Sequence, residues 1–149
     1  MLLADEFFFL ALDDRTGRPR LSPKVLGLGM AGALLGELLL EDRITIEGDR
    51  LRVLSLRPPA DALTHTTLDR LVAETTPHPV RTWLVFLART AVEQVADRLW
   101  RGGHIQREQT RRLWRTETIY PPTDVNIAYM PTARLANTLR TGHGECPMG

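Results

Sequence analysis

Leu21 to Val53 reads LSPKVLGLGMAGALLGELLLEDRITIEGDRLRV, and this stretch decides the fold class. Ser22 is a natural helix N-cap, and Pro23 suits the first helical position, where a missing N–H costs nothing. Leu26, Met30, Leu34 and Leu38, together with Val25, Leu28, Leu35 and Leu39, then cover most of a helix circumference, which predicts a buried helix. Gly32 and Gly36, four apart, leave one face flat enough for a neighbouring backbone. Ile44 and Ile46 next alternate with polar residues, Gly48-Asp49 supplies a turn, and Leu51 and Val53 return. That pattern predicts a β-hairpin.

Upstream, Leu3 to Leu12 predicts a short buried helix, followed by a polar turn over residues 13–19. Downstream, residues 55–61 with Pro58-Pro59 form a loop. Ala62 to Thr75 predicts a helix with Leu63, Leu68, Leu71 and Val72 inward, broken by Thr76-Pro77-His78-Pro79. Val80 to Arg101 reads as one long helix or two short ones, with Trp83, Leu84, Leu87, Val92, Val95 and Leu99 as its apolar stripe, ended by Gly102-Gly103. Ile105 to Ile119 predicts a second hairpin, with Glu108 to Arg111 near its tip. Helix followed by hairpin thus occurs twice, the local pattern of winged-helix units. Residues 124–141 hold a further helix, and 141–149 is expected to be a disordered tail. The expected fold class is mainly α: a compact helical domain over residues 1–140, with two helix-plus-β-hairpin, winged-helix-like units.

A chain of 149 residues, 43% hydrophobic and 25% charged, is that of one globular domain with a real core. No uninterrupted apolar run approaches the ~20 residues of a bilayer crossing. Asp5 and Glu6 precede the apolar run Phe7 to Leu12 where a signal peptide would carry positive charge, so a cytoplasmic location is expected. The single cysteine, Cys146, excludes an intramolecular disulfide. Lys24 is the one lysine among 19 basic residues, an arginine bias typical of GC-rich bacterial genomes. Charge is uneven. Residues 1–80 carry nine basic and twelve acidic side chains, whereas residues 81–140 carry ten basic and five acidic. Such asymmetry steers one region toward an anionic partner, a membrane surface or nucleic acid.

Gly27-Leu28-Gly29-Met30-Ala31-Gly32 spells GxGxxG, but a dinucleotide site needs a strand just before it, and here Ser22-Pro23 starts a helix. The glycines are therefore read as packing residues, and no cofactor is expected. His143 and Cys146 have no second ligand pair nearby, so no metal is expected. No nucleophile elbow is present, and the acidic pairs fall at turns and helix ends, so the chain reads as non-enzymatic. Trp114 stands out within Arg111-Arg112-Leu113-Trp114-Arg115. An aromatic among arginines suits a lipid headgroup interface or stacked bases, and equally a core edge covered by arginine stems.

Three stretches, taken together, resemble the Golgi phosphoprotein 3 family. The first is Asp5-Glu6 with its apolar run and Leu12-Asp13-Asp14-Arg15-Thr16-Gly17, continuing as Gly29-x-x-Gly32-Ala33-Leu34-Leu35-x-Glu37-Leu38-x-Leu40-x-x-Arg43-Ile44. The second is Glu74-Thr75-x-Pro77 followed by Val80-x-x-Trp83-Leu84-x-x-Leu87. The third is Val95-x-Asp97-Arg98-Leu99-x-x-x-Gly103-x-Ile105. The likeness fades after Pro122, where family members usually carry further helices, so the chain looks shortened or divergent there.

The resemblance implies a mostly helical single domain with β-hairpins. It also implies a peripheral membrane protein that binds an anionic lipid headgroup, phosphatidylinositol 4-phosphate in eukaryotic members. The family's headgroup tryptophan falls at Ser22 and its first arginine at Ala31. Its later arginine pair falls at Arg89 and Val92, so three of the four positions differ. Arg18, Arg20, Lys24 and Arg89 then offer a less selective anionic site. The family's second hairpin serves membrane insertion and self-association, which places Arg111, Arg112, Leu113, Trp114 and Arg115 at the membrane and implies a homo-oligomer. A winged-helix-like nucleic-acid-binding protein and an interaction module whose lipid site has decayed are the alternatives.

Overall fold

A computed structural model describes residues 1–112 and 115–144. The elements run α1 (Leu3–Ala11), α2 (Pro23–Leu40), β1 (Ile44–Glu47), β2 (Arg50–Val53), α3 (Ala62–Ala73), α4 (Val80–Ala88), α5 (Ala91–Arg101), β3 (Glu108–Arg112), β4 (Arg115–Ile119) and α6 (Val125–Gly144). The fold is mainly helical, with two separate antiparallel hairpins, β1–β2 after α2 and β3–β4 after α5. The helix-then-hairpin pattern predicted from the sequence is therefore present twice.

α2 is the hub. The Ser22 hydroxyl accepts from the Val25 amide at 3.4 Å, and Pro23 opens the helix. α1, α3, α4 and α5 all pack on it. Met30, Leu34, Leu35 and Leu38 join Phe8, Ile44, Leu68, Leu87, Val95 and Leu99 in one core. The helix is not buried all round, however: Val25 is 51% exposed and Leu39 36%. Outward-facing Val72 on α3 likewise departs from its expected place, because α3 turns Thr64 and Thr67 inward instead. α2 is long and apolar enough to cross a bilayer by length and composition. Its packing under four helices accounts for that apolarity as core.

The GxGxxG segment lies wholly inside α2, as expected, with its amides committed to the helical ladder. The close-approach glycines are not the expected pair. A Cβ at Gly32 would meet Leu84 at an ordinary 3.8 Å. A Cβ at Gly36 would strike the Leu3 side chain at 2.6 Å, and one at Gly29 would strike the Phe7 ring. Among the glycines of α2, Gly27 abuts a neighbouring backbone, with the Ala88 carbonyl 3.0 Å from where its Cβ would stand. That contact lets the start of α2 lie against the end of α4.

The first hairpin turns at Gly48-Asp49 as predicted, with Ile44 opposite Val53 and Gly48 at φ +65°. The Asp49 carbonyl accepts from the Val80 amide at 2.7 Å, fastening this hairpin to the start of α4. In the second hairpin the pairing runs from Glu108↔Ile119 to Arg112↔Arg115. Glu108 to Arg111 is thus strand, not tip, because the pairing continues to Arg112. Gly17 holds the far end of β4: its carbonyl accepts from the Tyr120 amide at 3.1 Å, and its φ of +71° beside the Tyr120–Pro121 backbone leaves no room for a side chain.

Val80 to Arg101 resolves into two helices, breaking at Arg89-Thr90. α6 reaches Gly144, three residues past the helix expected over residues 124–141. The remainder of the expected tail, and Leu113 and Trp114, lie outside the described residues.

Candidate anion-binding surface

The break between α4 and α5 places Arg89 at the C-cap of α4, in αR conformation and exposed. Two concavities meet there. Lys24, Gly27, Leu28, Val85 and Ala88 join Arg89 around a shallow hollow of about 250 Å³, made possible by the Gly27–Ala88 approach. On the other side of Arg89, a cleft of about 570 Å³ runs between α3 and α4, with Arg70, Trp83 and Phe86 in its walls. Arg81 shares a further depression with Arg89 and Phe86. Among the described residues, the side chains of Lys24, Arg81 and Arg89 have no hydrogen-bond or ion-pair partner. Val85 is 53% and Phe86 46% exposed beside them. Unpaired cations bordered by exposed apolar groups suit a surface that is anionic outside and apolar beneath.

Of the four cations expected to bind headgroups, the structure brings Lys24 and Arg89 together. Arg18 and Arg20 do not line that hollow. Arg20 is used locally: its Nε donates to the Leu12 carbonyl at 3.1 Å, and its guanidinium pairs with Asp14 at 3.8 Å. The Arg18 carbonyl closes the α1–α2 turn by accepting from the Asp13 amide at 2.8 Å. Ser22 is occupied as the α2 N-cap, and Ala31 is fully buried, so neither presents a group to a headgroup. On the second hairpin, Arg111 is exposed, and the backbone of Arg112 is in register with that of Arg115. Trp100, at the end of α5, is 53% exposed with the Arg107 guanidinium 5.4 Å over its ring.

Sequence reasoning missed a second arrangement, a charged cluster away from this surface, where Asp61 and Arg98 border a separate depression. Arg98 of α5 donates to Asp5 of α1 at 2.9 Å, to both carboxylate oxygens of Glu37 of α2 at 3.0 and 2.9 Å, and to Asp61, the α3 N-cap, at 2.8 Å. Thr64 donates its hydroxyl to Glu37 at 2.8 Å, and the Ala4 amide donates to Glu37 at 3.0 Å. Burial raises the Asp5 carboxyl above the usual carboxylate range, against the attraction of Arg98. Burial also acts to raise Asp61, but the Thr64 amide and Arg98 outweigh it and hold its carboxyl low. Burial opposes the charge on Arg98, and the bonds to Glu37 more than restore it. The cluster binds four helices together, which makes it a structural clasp. Asp5, Glu37 and Arg98 all fall in the family-like stretches, and that was the available signal.

Fold and surface together define a compact, mainly helical helix-and-hairpin protein with a basic, apolar-edged face. The family model for Golgi phosphoprotein 3 (GPP34) matches residues 3–147, nearly the whole chain, and the protein belongs to that family. A comparison with curated proteins found no match.

Proposed function

We propose that this Golgi phosphoprotein 3 family member is a non-enzymatic, cytoplasmic protein that docks peripherally on the inner face of a membrane by binding anionic lipid headgroups, phosphoinositides among them. The observation that supports this most is the hollow in which Lys24 and Arg89, both without partners among the described residues, share a wall with exposed Val85. Cations near an anionic bilayer add ~1 kcal/mol each, and the contribution is screened by salt. Three of the four family headgroup positions differ here, so selectivity among anionic lipids is modest in this reading.

Co-sedimentation with vesicles tests it. Phosphatidylcholine vesicles containing phosphatidylserine or phosphatidylinositol 4-phosphate should retain the protein at low ionic strength and release it as salt rises. Neutral vesicles should not retain it. Equal retention on neutral and anionic vesicles, or none on either, overturns the reading. A DNA shift assay run beside it separates membrane from nucleic-acid binding, since the same arginines would also suit a phosphate backbone.

A further inference from the structure

We propose that the cleft between the end of α3 and α4 is a binding site for a single-chain anionic amphiphile, with its acidic head against Arg70 and Arg89 and its chain along Trp83 and Phe86. The site is distinct from the Lys24 hollow and needs no bilayer, although Arg89 borders both. A volume of about 570 Å³ is that of a small-molecule site.

The wall is aromatic. The Trp83 and Phe86 rings meet edge to face at 6.0 Å, and His78 meets Trp83 the same way at 6.0 Å. Trp83 itself is buried, so this packing fixes a rigid platform, while Phe86 remains 46% exposed. Covering that ring with a hydrocarbon chain is favourable in proportion to the area removed from water.

The rim is cationic. An Arg70 amino group donates to the Thr90 hydroxyl at 3.3 Å, which stretches the guanidinium from α3 toward the start of α5. No described carboxylate pairs with Arg70 or Arg89. The carboxylate in the wall, Glu74, pairs with neither guanidinium: it lies 3.8 Å from the His78 ring and accepts from the Thr76 amide at 3.3 Å. Two guanidiniums with no carboxylate bonded to them, against the single carboxylate of Glu74, favour a phosphate or carboxylate head. A neutral apolar ligand would leave them uncompensated, and a bare anion would leave the aromatic wall wet. An amphiphile answers both.

The test is calorimetric titration of the full chain with dodecyl phosphate below its micelle concentration. Inorganic phosphate and dodecyl maltoside are run as the head-only and chain-only probes. The expected result is saturable binding of dodecyl phosphate, no binding of inorganic phosphate, and dodecyl maltoside weaker by about tenfold or more. Arg70→Gln should weaken dodecyl phosphate by about tenfold or more. Ala73→Phe, which fills the cleft from an exposed position, should abolish binding. Circular dichroism of both variants should match the parent. Equal binding of all three probes, or dodecyl phosphate binding unchanged in both variants, overturns the proposal.

The same variants should keep their salt-sensitive retention on anionic vesicles, because the Lys24 hollow is untouched. Failure of the cleft and failure of headgroup docking are thereby distinguished. Lysophosphatidic acid presented as monomer or held in phosphatidylcholine vesicles then assigns the source: uptake from monomer alone marks a free ligand, and a loss of retention in Arg70→Gln on the loaded vesicles, with none on phosphatidylserine vesicles of equal charge, marks one drawn from the bilayer.

Discussion

Arg98 is the residue on which most of the polar interior depends. It faces three carboxylates, and its removal would leave Asp5 and Glu37 buried without a countercharge. Arg98→Met should therefore destabilise the fold by about 3–5 kcal/mol in chemical denaturation at neutral pH. The carboxylates give opposite pH signatures. Asp61 is held below its unfolded value, so its contribution is present above the ordinary carboxylate range and is lost as pH falls through its folded value. Asp5 is held above its unfolded value, so the folded state takes up its proton first, and falling pH relieves a penalty. Asp61→Asn should flatten the acid-side loss of stability. Asp5→Asn should make that loss begin at higher pH, as followed by thermal midpoints across the acid range. The individual residues of this clasp were visible in the sequence, but their meeting was not. Asp5 and Arg98 lie 93 positions apart, and no local periodicity encodes a contact at that separation.

At the level of elements, the strongest local signals were the ones that held. Ser22-Pro23 caps α2 and Gly48-Asp49 turns the first hairpin because both depend on neighbouring residues alone. The second hairpin carries no glycine, asparagine or proline between Glu108 and Ile119, so its turn had no chemical marker and was misplaced. The α4–α5 break at Arg89-Thr90 is equally unmarked, and the surface it creates is accordingly half legible: Lys24 and Arg89 stand out in the sequence and Trp83 reads as core, whereas the places of Arg70 and Phe86 on the cleft come only from packing. α2 gives the sharpest test of the hierarchy. Leu35 is 2% exposed in the middle of the hub, so Leu35→Ala should cost ~2–5 kcal/mol in denaturant unfolding. A loss below ~1 kcal/mol would place α2 at the periphery of the fold's energetics.

At the scale of the whole molecule, the acidic first half and basic second half divide the labour. The clasp spends three acidic side chains on internal pairing, while Arg81, Arg89 and Arg111 remain exposed on the later elements. Arg89→Ala should reduce discrimination among headgroups, whereas Arg112→Ala with Trp114→Ala should lower vesicle retention for every anionic lipid, in co-sedimentation at low salt. The clasp also sets a schedule for biosynthesis. A ribosome delivers α1 and α2 early, yet the guanidinium that neutralises Asp5 and Glu37 arrives only with α5. Until then the growing chain has two carboxylates whose removal from water no arginine offsets. The emerging protein must stay open, and close in one late event. A fragment ending at residue 90 should accordingly give the circular dichroism of an unfolded chain.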